Sequence, residues 1–124
     1  MSCESANLNL TVVQNTNFDD SVLIRDADTQ TPFDLTGYSA RMQVRREIND
    51  TTPVFDWSSA DGELVMGGVL GTITWDISAA ETAVPEVDWD GELWVYDLLL
   101  TSPSGDVDRA LYGTITIYGS STRP

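Results

Sequence analysis

The chain has 124 residues, enough for one domain with its own apolar core, and sets twenty Asp and Glu against six basic residues for a formal net charge of −14. A surface this acidic repels phosphate backbones and anionic lipids, so neither nucleic acid nor membrane is an expected partner. One cysteine and no histidine exclude an internal disulfide, leave zinc without its usual ligands, and deprive nucleophilic catalysis of a base.

In chain order the pattern is one of short strands. Residues 1–6 read as an N-terminal tail that includes Cys3. Leu8, Leu10 and Val12 alternate in a first strand, and Phe18 to Arg25 forms a second that ends at the Asp26-Ala27-Asp28 turn. After Asp34-Leu35-Thr36-Gly37, the run from Ser39 to Glu47 places Ala40, Met42 and Val44 on one face and Arg41, Gln43 and Arg45 on the other. Val54 to Trp57 and Glu63 to Met66 are short strands separated by Asp61-Gly62. Ile73, Trp75 and Ile77 alternate with Thr72, Thr74 and Asp76 in the next.

Ser78 with Glu81 three residues on is a capping box, and Pro85 follows, so the spacing predicts a short connector helix near residues 78–84. Leu93 to Thr101 is apolar at most positions, as a central strand would be. Pro103-Ser104-Gly105-Asp106 reads as a hairpin loop, and Ala110 to Tyr118 returns as the last strand. Residues 119–124 read as a C-terminal tail. Many short strands with polar turns and almost no helix predict a single all-β domain over residues 7–118, a sandwich or barrel of about seven to eight strands.

Two constellations carry chemistry. Glu86, Asp88, Asp90 and Glu92 alternate ahead of the central strand and, with Gly91 after the third, resemble half of a calcium loop, although the first ligand would be Glu instead of Asp and no helices flank the segment. The simpler reading is a solvated acidic turn, so no cofactor is expected and calcium is the rival. Trp89, set between Asp88 and Asp90, is the tryptophan expected at the surface, where it serves an interface or a sugar platform. Arg41 and Arg45 share the wet face of one strand and Arg46 extends that basic patch. They either pair with neighbouring acids or meet the carboxylates of another subunit.

Taken in order, Asn7 to Thr11, Asp34 to Arg45, Gly71-Thr72-Ile73-Thr74, Ser78 to Thr82, Tyr96-Asp97-Leu98 with Ser104-Gly105, and Tyr112-Gly113 resemble small structural proteins of tailed bacteriophages. The pattern is similar to the immunoglobulin-like N-terminal domain of phage baseplate upper proteins, which anchors receptor-binding fibres. The resemblance implies an immunoglobulin-like antiparallel β-sandwich and a non-enzymatic virion component assembled in the host cytoplasm. Its partners would be tail, baseplate, fibre or capsid proteins, met in several copies of a symmetric assembly. It transfers no catalytic residues. A head decoration protein is the alternative within the same class.

Overall fold

The computed structural model describes residues 3–83, 87 and 90–122. The elements are β1 (Ala6–Asn7), β2 (Leu10–Val13), β3 (Phe18–Leu23), β4 (Ser39–Arg45), β5 (Phe55–Ser58), β6 (Leu64–Met66), a 3-10 turn (Gly68–Leu70), β7 (Thr72–Ile77), β8 (Glu92–Thr101) and β9 (Val107–Tyr118). They form two sheets. The larger runs β1-β9-β8-β4-β5 with β2 also paired to β9, and the smaller runs β3-β7-β6. This is an immunoglobulin-like β-sandwich, with the sheet order of a variable-type domain. Most pairings are antiparallel, but β1 and β2 run parallel to β9.

The period-two pattern explains the layers. Ala40, Met42 and Val44 of β4 are buried, as are Trp94, Tyr96, Leu98 and Leu100 of β8 and Ile115 and Ile117 of β9. They face Phe18 of β3, Leu64 of β6, and Ile73, Trp75 and Ile77 of β7. A file of aromatic rings crosses this core. Trp75 lies 5.8 Å from Phe18, Phe18 lies 6.3 Å from Trp57, Phe55 stacks on Trp57 at 4.8 Å, and Phe55 meets Trp94 at 6.1 Å. Because Trp75 and Phe18 belong to one sheet and Trp57, Phe55 and Trp94 to the other, the file joins the layers. Trp75 Nε1 also donates to Met42 Sδ at 3.2 Å.

Two expectations need correction. The N-terminal tail does not extend to residue 6: Cys3 is buried and bridges to Asp26, Glu4 N donates to the Arg25 carbonyl at 2.8 Å, and Ala6 pairs with Leu111. Apolar burial of Cys3 and strand pairing at β9 hold a segment that lacks any alternating pattern of its own. At the other end β9 stops at Tyr118, and Ser120 N donates to Gln14 Oε1 at 3.3 Å.

Among the described residues the connector helix is absent, since residues 79–82 make turns. The capping box itself forms, with Ser78 N and Oγ donating to Glu81 Oε1 at 3.2 and 2.9 Å. Tertiary bonds then claim the segment. Thr82 Oγ1 donates to the Thr16 carbonyl at 2.7 Å and Ala79 N donates to Asn17 Oδ1 at 2.9 Å. So short a stretch cannot repay helix nucleation against such anchors.

Candidate interaction face

The outer face of the larger sheet holds two of the expected interface residues. Arg41 and Arg45 stand on β4, opposite Leu99 and Val95 of β8. Arg41 is paired locally: its Nε and Nη2 donate to the two carboxylate oxygens of Asp56 at 3.0 and 2.7 Å, and Gln43 Nε2 donates to the same carboxylate at 3.1 Å. The Arg41 hydrogen bonds, together with Gln43 and the charges of Arg41 and Arg45, hold the Asp56 carboxyl below its ordinary value against the opposing effect of desolvation. Arg45 Nη1 donates to the Asp50 carbonyl at 2.9 Å and Nη2 to Gln43 Oε1 at 2.6 Å.

Arg46 does not extend this patch. One residue beyond Arg45, the pleat turns it to the side of the buried face, and its guanidinium carbon lies 5.2 Å from the centre of the Trp94 ring. Trp89, Glu86 and Asp88 lie outside the described residues. Of the other acids in that alternating run, Asp90 is exposed, and Glu92 Oε1 accepts from Trp94 Nε1 at 3.3 Å. Among the described residues no three acidic or cysteine side chains gather to hold a metal ion.

Period-two reading misses the rest of the face. Leu98 pairs with Leu111 but Leu99 pairs with Arg109, so β9 carries an extra residue, Ala110, in a β-bulge. In an unbroken strand Arg109 and Tyr112, an odd number of residues apart, would point to opposite faces. The bulge resets the alternation, so both point outward, Arg109 opposite Leu99 and Tyr112 opposite Asp97. The Arg109 guanidinium then stacks 4.2 Å from the Tyr112 ring centre, and its Nε donates to Ser5 Oγ at 3.4 Å. Around this stack is a groove of about 400 Å³. Gln43, Asp97 and Tyr112 line it together with Arg45 and Arg109, and Val95 and Ile48 supply apolar wall. Ile48, in the loop after β4, is 78% exposed.

Carboxyls meet at a different place. Glu63, just before β6, shares a proton with Glu81 in the turn after β7, and desolvation first and Glu81 second push the Glu63 carboxyl up to about 7. Glu81 is held below its ordinary value, chiefly by the bond from Glu63. Both groups also serve the backbone, Glu63 Oε1 accepting from Ser58 N at 3.1 Å and Glu81 Oε1 from Ser78 N at 3.2 Å.

The pair has a pH signature. Glu63, raised in the fold, contributes stability that is full below its ordinary value of 4.5 and is lost as pH rises through about 7. Glu81, lowered in the fold, contributes stability above its ordinary 4.5 that disappears as pH falls further. Between those limits the shared proton holds the β6 end to the turn. Discounted for the solvent around a half-buried group, the loss across neutrality should be about 1 kcal/mol. Thermal melts on either side of neutrality should show the wild type losing this increment on the alkaline side, and Glu63→Gln should not. An equal alkaline loss in both proteins would refute the shared proton.

Burial, aided by the nearby Asp108 carboxylate, pushes the Cys3 thiol above its ordinary range, which makes it a poor nucleophile at neutral pH.

No family model and no curated protein matches this chain. Among solved structures, the chain is similar to murine CRIg at 13% identity and a TM-score of 0.39, over 91% of this chain and 92% of that one. It is also similar to extracellular domains 3–5 of Drosophila OTK at 12% identity and a TM-score of 0.33, covering 88% of this chain and 32% of that one.

Proposed function

We propose that this protein is a non-enzymatic structural adaptor of a tailed-phage virion, docking tail, baseplate or fibre components through the outer face of its larger sheet. The observation that carries an interaction role is the composition of that face. Ile48, Leu93, Leu99 and Val107 are exposed there at 78, 64, 38 and 57%, interspersed with Arg45 and Arg109. Apolar side chains flanked by arginines are what protein interfaces enrich, and here they stand in a chain of net charge −14. The virion context is supported by the motif order from Asn7 to Tyr112-Gly113 described above. Docking would work by many modest contacts summed over the copies of a symmetric assembly. Capsid decoration uses the same kind of surface and differs only in the neighbour.

Charge reversal tests the face. R41E/R45E is expected to lower incorporation into particles several-fold, while the isolated protein keeps a cooperative melt, because both side chains are solvent-facing and support no core contact. Unchanged incorporation of this variant would remove the face from the assembly.

A further inference from the structure

We infer that the groove formed by β4, β8, β9 and Ile48 takes an acidic, extended peptide segment of a partner protein. The segment would place carboxylates on Arg45 and Arg109 and lay an apolar side chain between Ile48 and Val95. This rests on the adaptor reading and specifies the chemistry of the partner at that surface.

The charge balance of the groove sets it apart from the rest of the molecule. The outer face of the larger sheet collects Arg41, Arg45 and Arg109, half of the chain's six basic residues. Arg41 is neutralised by Asp56 through the bidentate pair, which leaves two guanidiniums against the single carboxylate of Asp97 in the groove. Outside the groove four basic residues stand against nineteen acids. A cationic recess in an anionic body focuses its field on an acidic ligand and repels a basic one.

The two guanidiniums are also held in place before any ligand arrives. Arg45 is fixed by the Asp50 carbonyl and Gln43, and Arg109 by the Tyr112 ring and Ser5. A guanidinium carries more donors than these contacts use, so each retains N–H groups for a carboxylate. Preorganised side chains lose less entropy on binding.

The walls narrow the ligand class further. A compact polyanion such as phosphate would sit against Asp97 and the apolar Val95 and Ile48, at a cost in desolvation and repulsion. A segment that spaces its carboxylates on either side of an apolar residue avoids Asp97 and covers Ile48. A recess of about 400 Å³ receives a short run of side chains, and less than a folded domain.

The test titrates acetyl-Asp-Leu-Glu-Leu-Asp-amide, and the basic control acetyl-Lys-Leu-Gln-Leu-Lys-amide, into the isotope-labelled full chain at low salt, read by NMR. The expected result is saturable shifts at Ile48, Val95, Asp97 and Tyr112 with the acidic peptide alone, weakened by added salt. R109E should weaken binding about tenfold or more, and R109Q should weaken it less. No saturable shift, equal saturation by the basic peptide, or shifts confined to another surface would overturn the inference. So would concentration-dependent self-association abolished by R109E in sedimentation, because the occupant would then be a second copy. If the peptide fails yet R109E lowers particle incorporation, the adaptor reading stands and the acidic partner falls. If the peptide binds but no groove variant changes incorporation, the adaptor reading falls and the groove assignment stands.

Discussion

Trp75→Ala should lower the unfolding free energy by about 3–5 kcal/mol, seen as a shift of the urea midpoint at unchanged slope. Trp75 is fully buried at the centre of β7, where its ring packs on Phe18 and its Nε1 reaches Met42 Sδ across the sandwich. Truncation removes the largest buried side chain of the smaller sheet and interrupts the aromatic file that joins it to Trp57 and Phe55. The surrounding strands are paired on both sides, β3 and β6 each hydrogen-bonded to β7, so the cavity cannot collapse by moving one of them. Trp75→Phe keeps most of the volume and should cost clearly less. A loss below about 1 kcal/mol for the alanine variant would mean that the two layers do not close on Trp75.

Gly113→Val should be nearly as damaging, at about 2–4 kcal/mol, and more local in its effect. A Cβ at position 113 would lie 2.4 Å from the Leu8 carbonyl oxygen and 3.0 Å from Asn9 Oδ1, both fixed against β9. That carbonyl accepts from Tyr96 Oη at 2.6 Å, while Leu8 N donates to the Tyr112 carbonyl at 3.0 Å. Glycine is needed here because the first strands approach the β9 backbone too closely for any side chain. Valine must push the Leu8 segment away, orphaning the buried Tyr96 hydroxyl, whose burial already holds its phenol well above the ordinary range. Hydrogen exchange should show the Leu8 amide losing protection while the amides of β4 and β8 stay protected. Retained protection at Leu8 would place the strand's attachment elsewhere.

The larger sheet was largely legible because burial follows the pleat. The alternation of Ala40, Met42 and Val44 against Arg41, Gln43 and Arg45 describes β4 as it stands, and Trp57, Trp75 and Trp94 read as core and are core. Leu93 to Thr101 does occupy the interior of its sheet, between β4 and β9. Only its inner face is sealed, since Leu93 and Leu99 are exposed. An apolar run alone cannot distinguish a second buried face from one that awaits a partner.

The candidate face was half legible. Arg41 and Arg45 could be placed from parity, and the same parity excludes Arg46, whose guanidinium rests on the Trp94 ring. Arg109 and Tyr112 were out of reach of local pattern, because a single extra residue at Ala110 reverses which way the strand's side chains point. A bulge is a property of the pair of strands, decided by how β8 and β9 come into register.

By itself, then, the sequence determined the class of fold, the identity of the core and the sign of the surface, since periodicity, burial and charge are all local or additive quantities. Tertiary structure alone decided the rest. It brought Cys3 to Asp26 and Leu8 to Tyr96, turned a capping box into an anchored turn, joined Glu63 to Glu81, and set Arg109 over Tyr112 beside Arg45. Each of these depends on segments far apart in the chain, the Arg109–Tyr112 stack through the register of β8 on β9, and forms because the sandwich closes.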